Sequence, residues 1–206
     1  ELFETNKMKK INIDSQQTHF IGCWNLENNQ LCSEITNFFE FNKNLQQPGI
    51  SGAGMNLKIK KTTDIRINPN DLEKPRFKIL KQYINELHKC FLDYQNQWPF
   101  LKSMLKTVDI PAFNIQKYYR GDHFASLHSE RTTLNTLHRL FAWMTYLNDV
   151  DDGGQTSFSH YGIRITPETG KTLIWPAEWT HAHTGEILKS GTKYIVTGWM
   201  HFPVSM

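Results

Sequence analysis

Two histidines and a glutamate carry the chemistry that this sequence offers. His128-Ser129-Glu130 is followed 53 residues later by His183, and Lys193 comes ten residues after that. Two imidazoles and a carboxylate on neighbouring strands can occupy one triangular face of an octahedral Fe(II), leaving three positions for a cosubstrate and oxygen. The chain has nine histidines. Four others lie near these ligands, His123, His138, His160 and His181, and none has an acid two residues downstream.

The surroundings extend the pattern. Between Ala112 and Phe202 the chain reads Tyr119-Arg120-Gly121, His128-Ser129-Glu130, Arg139, Tyr146-Leu147-Asn148, Gly153-Gly154-Gln155-Thr156-Ser157-Phe158, Pro167-Glu168-Thr169-Gly170, His183-Thr184-Gly185, Lys193-Tyr194 and Trp199. In order and spacing this series resembles the 2-oxoglutarate and Fe(II)-dependent oxygenases, and within them the prolyl 4-hydroxylase-like branch. It departs from the family at Glu130, where aspartate is usual. The extra methylene carries the carboxylate about 1.5 Å further from the backbone.

The resemblance implies that His128, Glu130 and His183 bind Fe(II). It also implies that 2-oxoglutarate is the cosubstrate, with O2 as oxidant and ascorbate as a stimulant. Family spacing between the distal histidine and the basic residue favours His183, since His181 would stand twelve residues before Lys193. Position along a strand does not separate the two, because residues two apart share a face. Lys193 is expected to pair with the 5-carboxylate of 2-oxoglutarate, a buried cation being costly without a partner. Tyr146 and Tyr119 match tyrosines that hydrogen-bond this ligand in relatives, with a core tyrosine as the competing reading for each. Trp199, six residues after Lys193 and on the same side of its strand, is expected against the cosubstrate or in the core. Arg139, Trp179 and His181 are candidate substrate contacts or walls of the cleft, and Trp175 joins them there. Gly153-Gly154 reads as a turn that needs glycine conformations.

Hydroxylation of a C–H bond follows from this resemblance, with proline in a peptide or protein as the expected substrate and succinate and CO2 as coproducts. The same chemistry on a free amino acid or other small molecule is an alternative, since fold and metal do not name a substrate. A non-catalytic jelly-roll binding module with incidental histidines is the remaining one. A nucleic-acid demethylase is disfavoured because Trp199 stands where that group carries a second arginine.

Composition agrees with this reading. Lys and Arg number 23 against 20 Asp and Glu, and a net charge of +3 does not mark a nucleic-acid binder. Cys23, Cys32 and Cys90 are odd in number and show no Cys-x-x-Cys spacing, which argues against a zinc site and a disulfide framework. No run approaches about 18 apolar residues and no signal-peptide core is seen. A cytoplasmic chain without membrane or nucleic-acid partners is expected.

The elements that must position these residues fit one domain of 206 residues. Residues 1–110 would supply helices and loops that support the sheet, and 111–206 a jelly-roll catalytic core. The fold class expected is α+β, mainly β, a double-stranded β-helix with flanking N-terminal helices. Residues 32–42 read as an amphipathic helix with Ser33 as cap and Ile35, Phe38, Phe39 and Phe41 on its apolar side. Residues 46–55, with Pro48, Gly49, Gly52 and Gly54, read as a loop, and Ile65 and Ile67 as part of a strand. Asp71 should cap a helix reaching about Asn96, which would cover the outer face of the sheet. A shorter helical or irregular segment follows from 95 to 108. Strands are expected near 112–119, 122–128, 139–147, 155–158, 162–165, 171–175, 180–184 and 192–202, the number a jelly roll needs.

Overall fold

A computed structural model describes residues 8–13, 18–51 and 54–204. In chain order the elements are β1 (Lys9–Lys10), β2 (Gly22–Asn25), α1 (Asn29–Phe41), β3 (Gln47–Pro48), β4 (Lys60–Lys61), β5 (Thr63–Ile67), α2 (Lys78–Gln97) and α3 (Pro99–Met104). They continue with β6 (Phe113–Tyr118), β7 (His123–His128), β8 (Arg139–Tyr146), β9 (Thr156–Phe158), β10 (Ile163–Ile165), β11 (Lys171–Pro176), β12 (His183–Gly185) and β13 (Lys193–His201). Eight strands form one antiparallel sheet in the order β1-β2-β11-β8-β13-β6-β5-β3, and five form a second in the order β10-β9-β12-β7-β4. This is the mainly β, double-stranded β-helix expected.

The period of two decides which side chain faces what. Along β8, Phe141 and Trp143 join a core shared with α1 and α2, while Ala142, Met144 and Tyr146 turn inward. That inner cluster includes Leu173 and Trp175 from β11 and Ile195 from β13, together with Phe158, Ile163 and Ile165 from the smaller sheet. The two sheets therefore face each other. The helices cover the back of the larger one, with Leu80, Tyr83, Leu87 and Phe91 of α2 buried. A side chain of this size contributes about 1.5–3 kcal/mol when taken out of water.

Several boundaries differ from expectation. Helix α1 starts three residues earlier, because Asn28 rather than Ser33 caps it by accepting from the Leu31 N–H at 3.0 Å. Phe41 is 85% exposed instead of lying on the buried side. Asp71 caps only a short 3-10 turn, Pro69–Glu73, together with Asn68. Pro75 opens a second such turn, and α2 begins at Lys78, as a residue lacking an N–H and restricting its predecessor requires. Residues 1–110 also give strands to both sheets: β2 and β5 to the larger, β4 to the smaller. In the segment 46–55, Gly52 lies outside the described residues. All three cysteines are buried and unpaired. Among the described residues no helix is long and apolar enough to cross a membrane.

Candidate active site

Strand pairing brings the two histidines together. His128 is the last residue of β7, His183 the first of β12, and the two are direct partners across the antiparallel ladder. Residues so placed have Cβ atoms about 4.5–5.5 Å apart. Glu130 follows on the turn beyond β7, which is tied down by the N–H groups of Glu130 and Arg131, both donating to the Ala177 carbonyl. Its Oε1 lies 3.6 Å from His128 Nε2 and 3.3 Å from His183 Nε2. One ligand atom from each of the three residues falls within 4.8 Å of the others.

The donor chemistry suits a divalent cation. His128 Nδ1 sits 2.7 Å from the Ser126 carbonyl, and His183 Nδ1 2.9 Å from the His181 carbonyl. A carbonyl only accepts, so each Nδ1 carries a proton and each Nε2 is the nitrogen turned toward Glu130, where it can offer its lone pair to a cation. Burial, and then the neighbouring His183, push His128 down to about 4, which keeps it neutral. For Glu130, burial acts to raise the carboxyl, but His183, His128 and the Trp199 N–H outweigh it and hold the group at about 2. Neutral imidazoles and an ionised carboxylate are the forms that bind metal. Aromatic rings wall the site: Phe124 stacks on His128 at 3.9 Å, and Trp175 meets His183 edge-on at 5.1 Å.

Lys193 opens β13 on the larger sheet, directly across from Tyr118 of β6. It is 2% exposed. Its Nζ donates to the Gly154 carbonyl at 2.8 Å and lies 4.1 Å from the centre of the Tyr118 ring. Burial pushes the ammonium down to about 7. The acid whose charge reaches it, Glu186, is already held by Arg164.

The remaining candidates are distributed differently. Tyr146 is buried on the inner face, and its hydroxyl is engaged with Thr156 Oγ1 at 2.6 Å. Tyr119, expected beside the cosubstrate, is 49% exposed and packs near Lys117 Nζ, so the inward tyrosine is its neighbour Tyr118. One step along a strand reverses the face. Trp199 does face the same side as Lys193, but six residues at about 3.3 Å each place it some 20 Å further on. There its indole N–H donates to Glu130 Oε2 at 2.6 Å. Arg139 lies with its guanidinium 3.7 Å above the Trp199 ring and donates from Nη1 to the Glu130 carbonyl at 2.9 Å.

His181 is not on a strand with His183. It belongs to a 3-10 turn, Trp179–His181, which replaces the start of the strand expected at 180–184. Its buried ring is bonded to the His19 carbonyl at 2.7 Å and to Thr180 Oγ1 at 2.9 Å. Trp179 on the same turn is 67% exposed, with its ring edge-on to His160. A buried polar chain not apparent from the sequence also runs here: Tyr118 donates to Gln116, Gln116 to Asp64, and Lys60 and Thr62 to Asp64. The alternation of Gln116 with Tyr118, and of Lys60, Thr62 and Asp64, was its one trace in the sequence.

Residues 113–201 match the family described as the 2OG-Fe(II) oxygenase superfamily. The match takes in His128, Glu130, His183 and Lys193. The alpha-1 subunits of prolyl 4-hydroxylase from Homo sapiens and Gallus gallus are 27% identical over 75 residues, covering 33% of this chain and 14% of theirs. The match thus spans about a seventh of those relatives. Among solved structures, a Pseudomonas putida prolyl-4-hydroxylase aligns with a TM-score of 0.67 at 18% identity, covering 90% of this chain and 94% of that one. The viral collagen prolyl hydroxylase of Paramecium bursaria Chlorella virus-1, solved with 2OG, gives 0.61 at 16%, covering 95% and 96%. A Trichoplax adhaerens prolyl hydroxylase, solved with a hypoxia-inducible-factor peptide fragment, gives 0.65 at 13%, covering 96% and 84%. The chain carries a prolyl hydroxylase-like fold.

Proposed function

We propose that this chain is a 2-oxoglutarate-dependent oxygenase that hydroxylates a proline within a peptide or protein, converting 2-oxoglutarate to succinate and CO2. His128, Glu130 and His183 would hold Fe(II), and Lys193 would anchor the cosubstrate through its 5-carboxylate. Iron bound there supplies the redox chemistry that couples O2 and 2-oxoglutarate to an unactivated C–H bond. The protein's part is to bind, orient and exclude water.

The observation that carries the cosubstrate assignment is Lys193. An ammonium 2% exposed, with a carbonyl as its hydrogen-bond partner and no ion pair among the described residues, is costly to keep in a fold unless an anion is supplied. A dicarboxylate with one end at the metal and the other at Lys193 supplies it. A peptide substrate is supported by the names of the aligned prolyl hydroxylases and by the rim around the triad. The segment between Glu130 and β8 displays Leu134 and Leu137, and the turn before His183 displays Trp179, all more than half exposed. The Arg131–Glu178 ion pair joins these two loops. An exposed apolar rim beside a polar centre is what an extended substrate can cover. Arg139 Nε is buried without a protein partner among the described residues and is suited to donate to a substrate carbonyl. Tyr118, in the place expected of Tyr119, is the tyrosine positioned to line the cosubstrate pocket.

The reading is tested by anaerobic loading with Fe(II) and 2-oxoglutarate, then exposure to O2 with ascorbate and a panel of proline-containing peptides. Mass spectrometry should find one added oxygen on proline and one succinate per event. Succinate without peptide oxidation on any sequence would overturn the peptide assignment.

The depressed Lys193 also sets a pH dependence. In the free protein the group loses its proton near pH 7, and pairing with a carboxylate raises it again. Binding therefore takes up a proton above pH 7, and affinity for 2-oxoglutarate should fall as pH rises, by up to about tenfold per unit. Calorimetry between pH 7 and 9 in buffers of different ionisation enthalpy checks this. Constant affinity with no proton uptake would contradict a Lys193–carboxylate pair.

A further inference from the structure

Glu130 and Trp199 divide one carboxylate between them. Oε1 of Glu130 is the atom that faces both histidine Nε2 groups, at 3.6 and 3.3 Å, while Oε2 receives the Trp199 indole N–H at 2.6 Å. We propose that Trp199 is the positioning residue that makes glutamate usable as the acidic ligand, because it occupies Oε2 and leaves Oε1 alone to the metal. The proposal rests on the reading of His128, Glu130 and His183 as ligands and assigns how the third is held.

Glutamate has one more rotatable bond than aspartate and about 1.5 Å more reach. Unrestrained, it would turn either oxygen or both toward a cation. A charge-assisted hydrogen bond from a fixed donor removes that choice. Trp199 is fixed because β13 pairs it with Ala142 of β8 and because the Arg139 guanidinium covers its ring at 3.7 Å. Arg139 also donates to the Glu130 carbonyl, and the Glu130 N–H donates to Ala177. Both the backbone and the carboxylate of Glu130 are therefore clamped. An aspartate at this position is too short to reach the histidine nitrogens and the indole together, so the effects of Glu130 and Trp199 should be coupled.

The test is anaerobic Co(II) titration of the whole chain without cosubstrate, followed by calorimetry and by the visible spectrum of the bound ion. Trp199→Phe should weaken Co(II) binding about 10- to 100-fold, the usual cost of losing a group that orients a ligand, and should change the spectrum as the second carboxylate oxygen is freed. In a Glu130→Asp background the same substitution should alter affinity by no more than about twofold, the limit expected for uncoupled groups. Wild-type affinity and spectrum in Trp199→Phe would overturn the proposal, as would an equal loss in both backgrounds. If the wild type bound no Co(II), the ligand reading would fall and this one with it. Should Trp199→Phe not fold, the Zn(II)-loaded wild type decides by NMR. The Trp199 indole N–H should exchange slowly with solvent there and quickly in Glu130→Asp; equally fast exchange in both would overturn the proposal.

Discussion

Lys193→Ala is expected to weaken 2-oxoglutarate binding about 30-fold to several thousand-fold, with the Michaelis constant rising accordingly. The estimate comes from removing one partner of a buried charge pair, which costs about 2–5 kcal/mol at 1.4 kcal/mol per decade. The pocket makes the loss hard to repair. Lys193 is 2% exposed, so little water can solvate a carboxylate left without its cation. Affinity for Fe(II) without cosubstrate should stay near the wild-type value, since Lys193 Nζ bonds to the Gly154 carbonyl and to none of the three ligands. Lys193→Arg should recover only part of the binding. A guanidinium is planar and wider than an ammonium, and the channel is narrow: a Cβ on Gly154, at φ 71°, would already come within 3.2 Å of Lys193 Cδ. Anaerobic titration of all three proteins with 2-oxoglutarate is the measurement. Equal affinity in wild type and Lys193→Ala would remove the main support for the cosubstrate site.

The same residues show how far a sequence can be read. The strands of residues 112–202 were legible because alternating apolar positions are punctuated by Gly, Asn, Asp and Pro, which fixes where each strand can begin and end. The pairing of His128 with His183 was legible only through spacing, since nothing in the local sequence states that β7 lies beside β12. The inward tyrosine is Tyr118 and the exposed one Tyr119, because the end of β6 falls at Tyr118 and a one-residue uncertainty at a strand end exchanges inside for outside. Trp199 was given its face but not its bond to Glu130, since periodicity reports the side of a strand and says nothing of what stands opposite its far end. The contribution of β2 and β5 to the larger sheet was only half visible: Ile65 and Ile67 alternate, whereas Gly22–Asn25 is four residues whose place depends on β11. Asp64 beside Lys60 was beyond reach because a buried charge is recognised by its partners, and those come from β4 and β6.

His183→Ala and His128→Ala should each abolish Fe(II)-dependent turnover, and His181→Ala should not. Two of the three imidazole rings point their Nε2 atoms at Glu130, and a three-ligand site that loses one ligand keeps too few donors to fix a cation. The His181 ring is spent elsewhere, on the His19 carbonyl and on Thr180. What His181 gives to the site is its backbone carbonyl, which orients His183 through Nδ1 at 2.9 Å, and alanine retains that group. Its replacement therefore acts on the fold more than on the metal. The His19 carbonyl is left without its donor, at about 1–3 kcal/mol for an unsatisfied buried group, and metal affinity should fall by no more than the 10- to 100-fold typical of groups behind a ligand. Thermal unfolding and anaerobic metal titration, run on the same three variants, separate the two effects. His183→Ala should lose metal binding with a modest change in stability, and His181→Ala should lose stability with metal binding largely kept. A loss of affinity in His181→Ala as large as that in His183→Ala would mean that the ligand assignment between these two histidines is wrong.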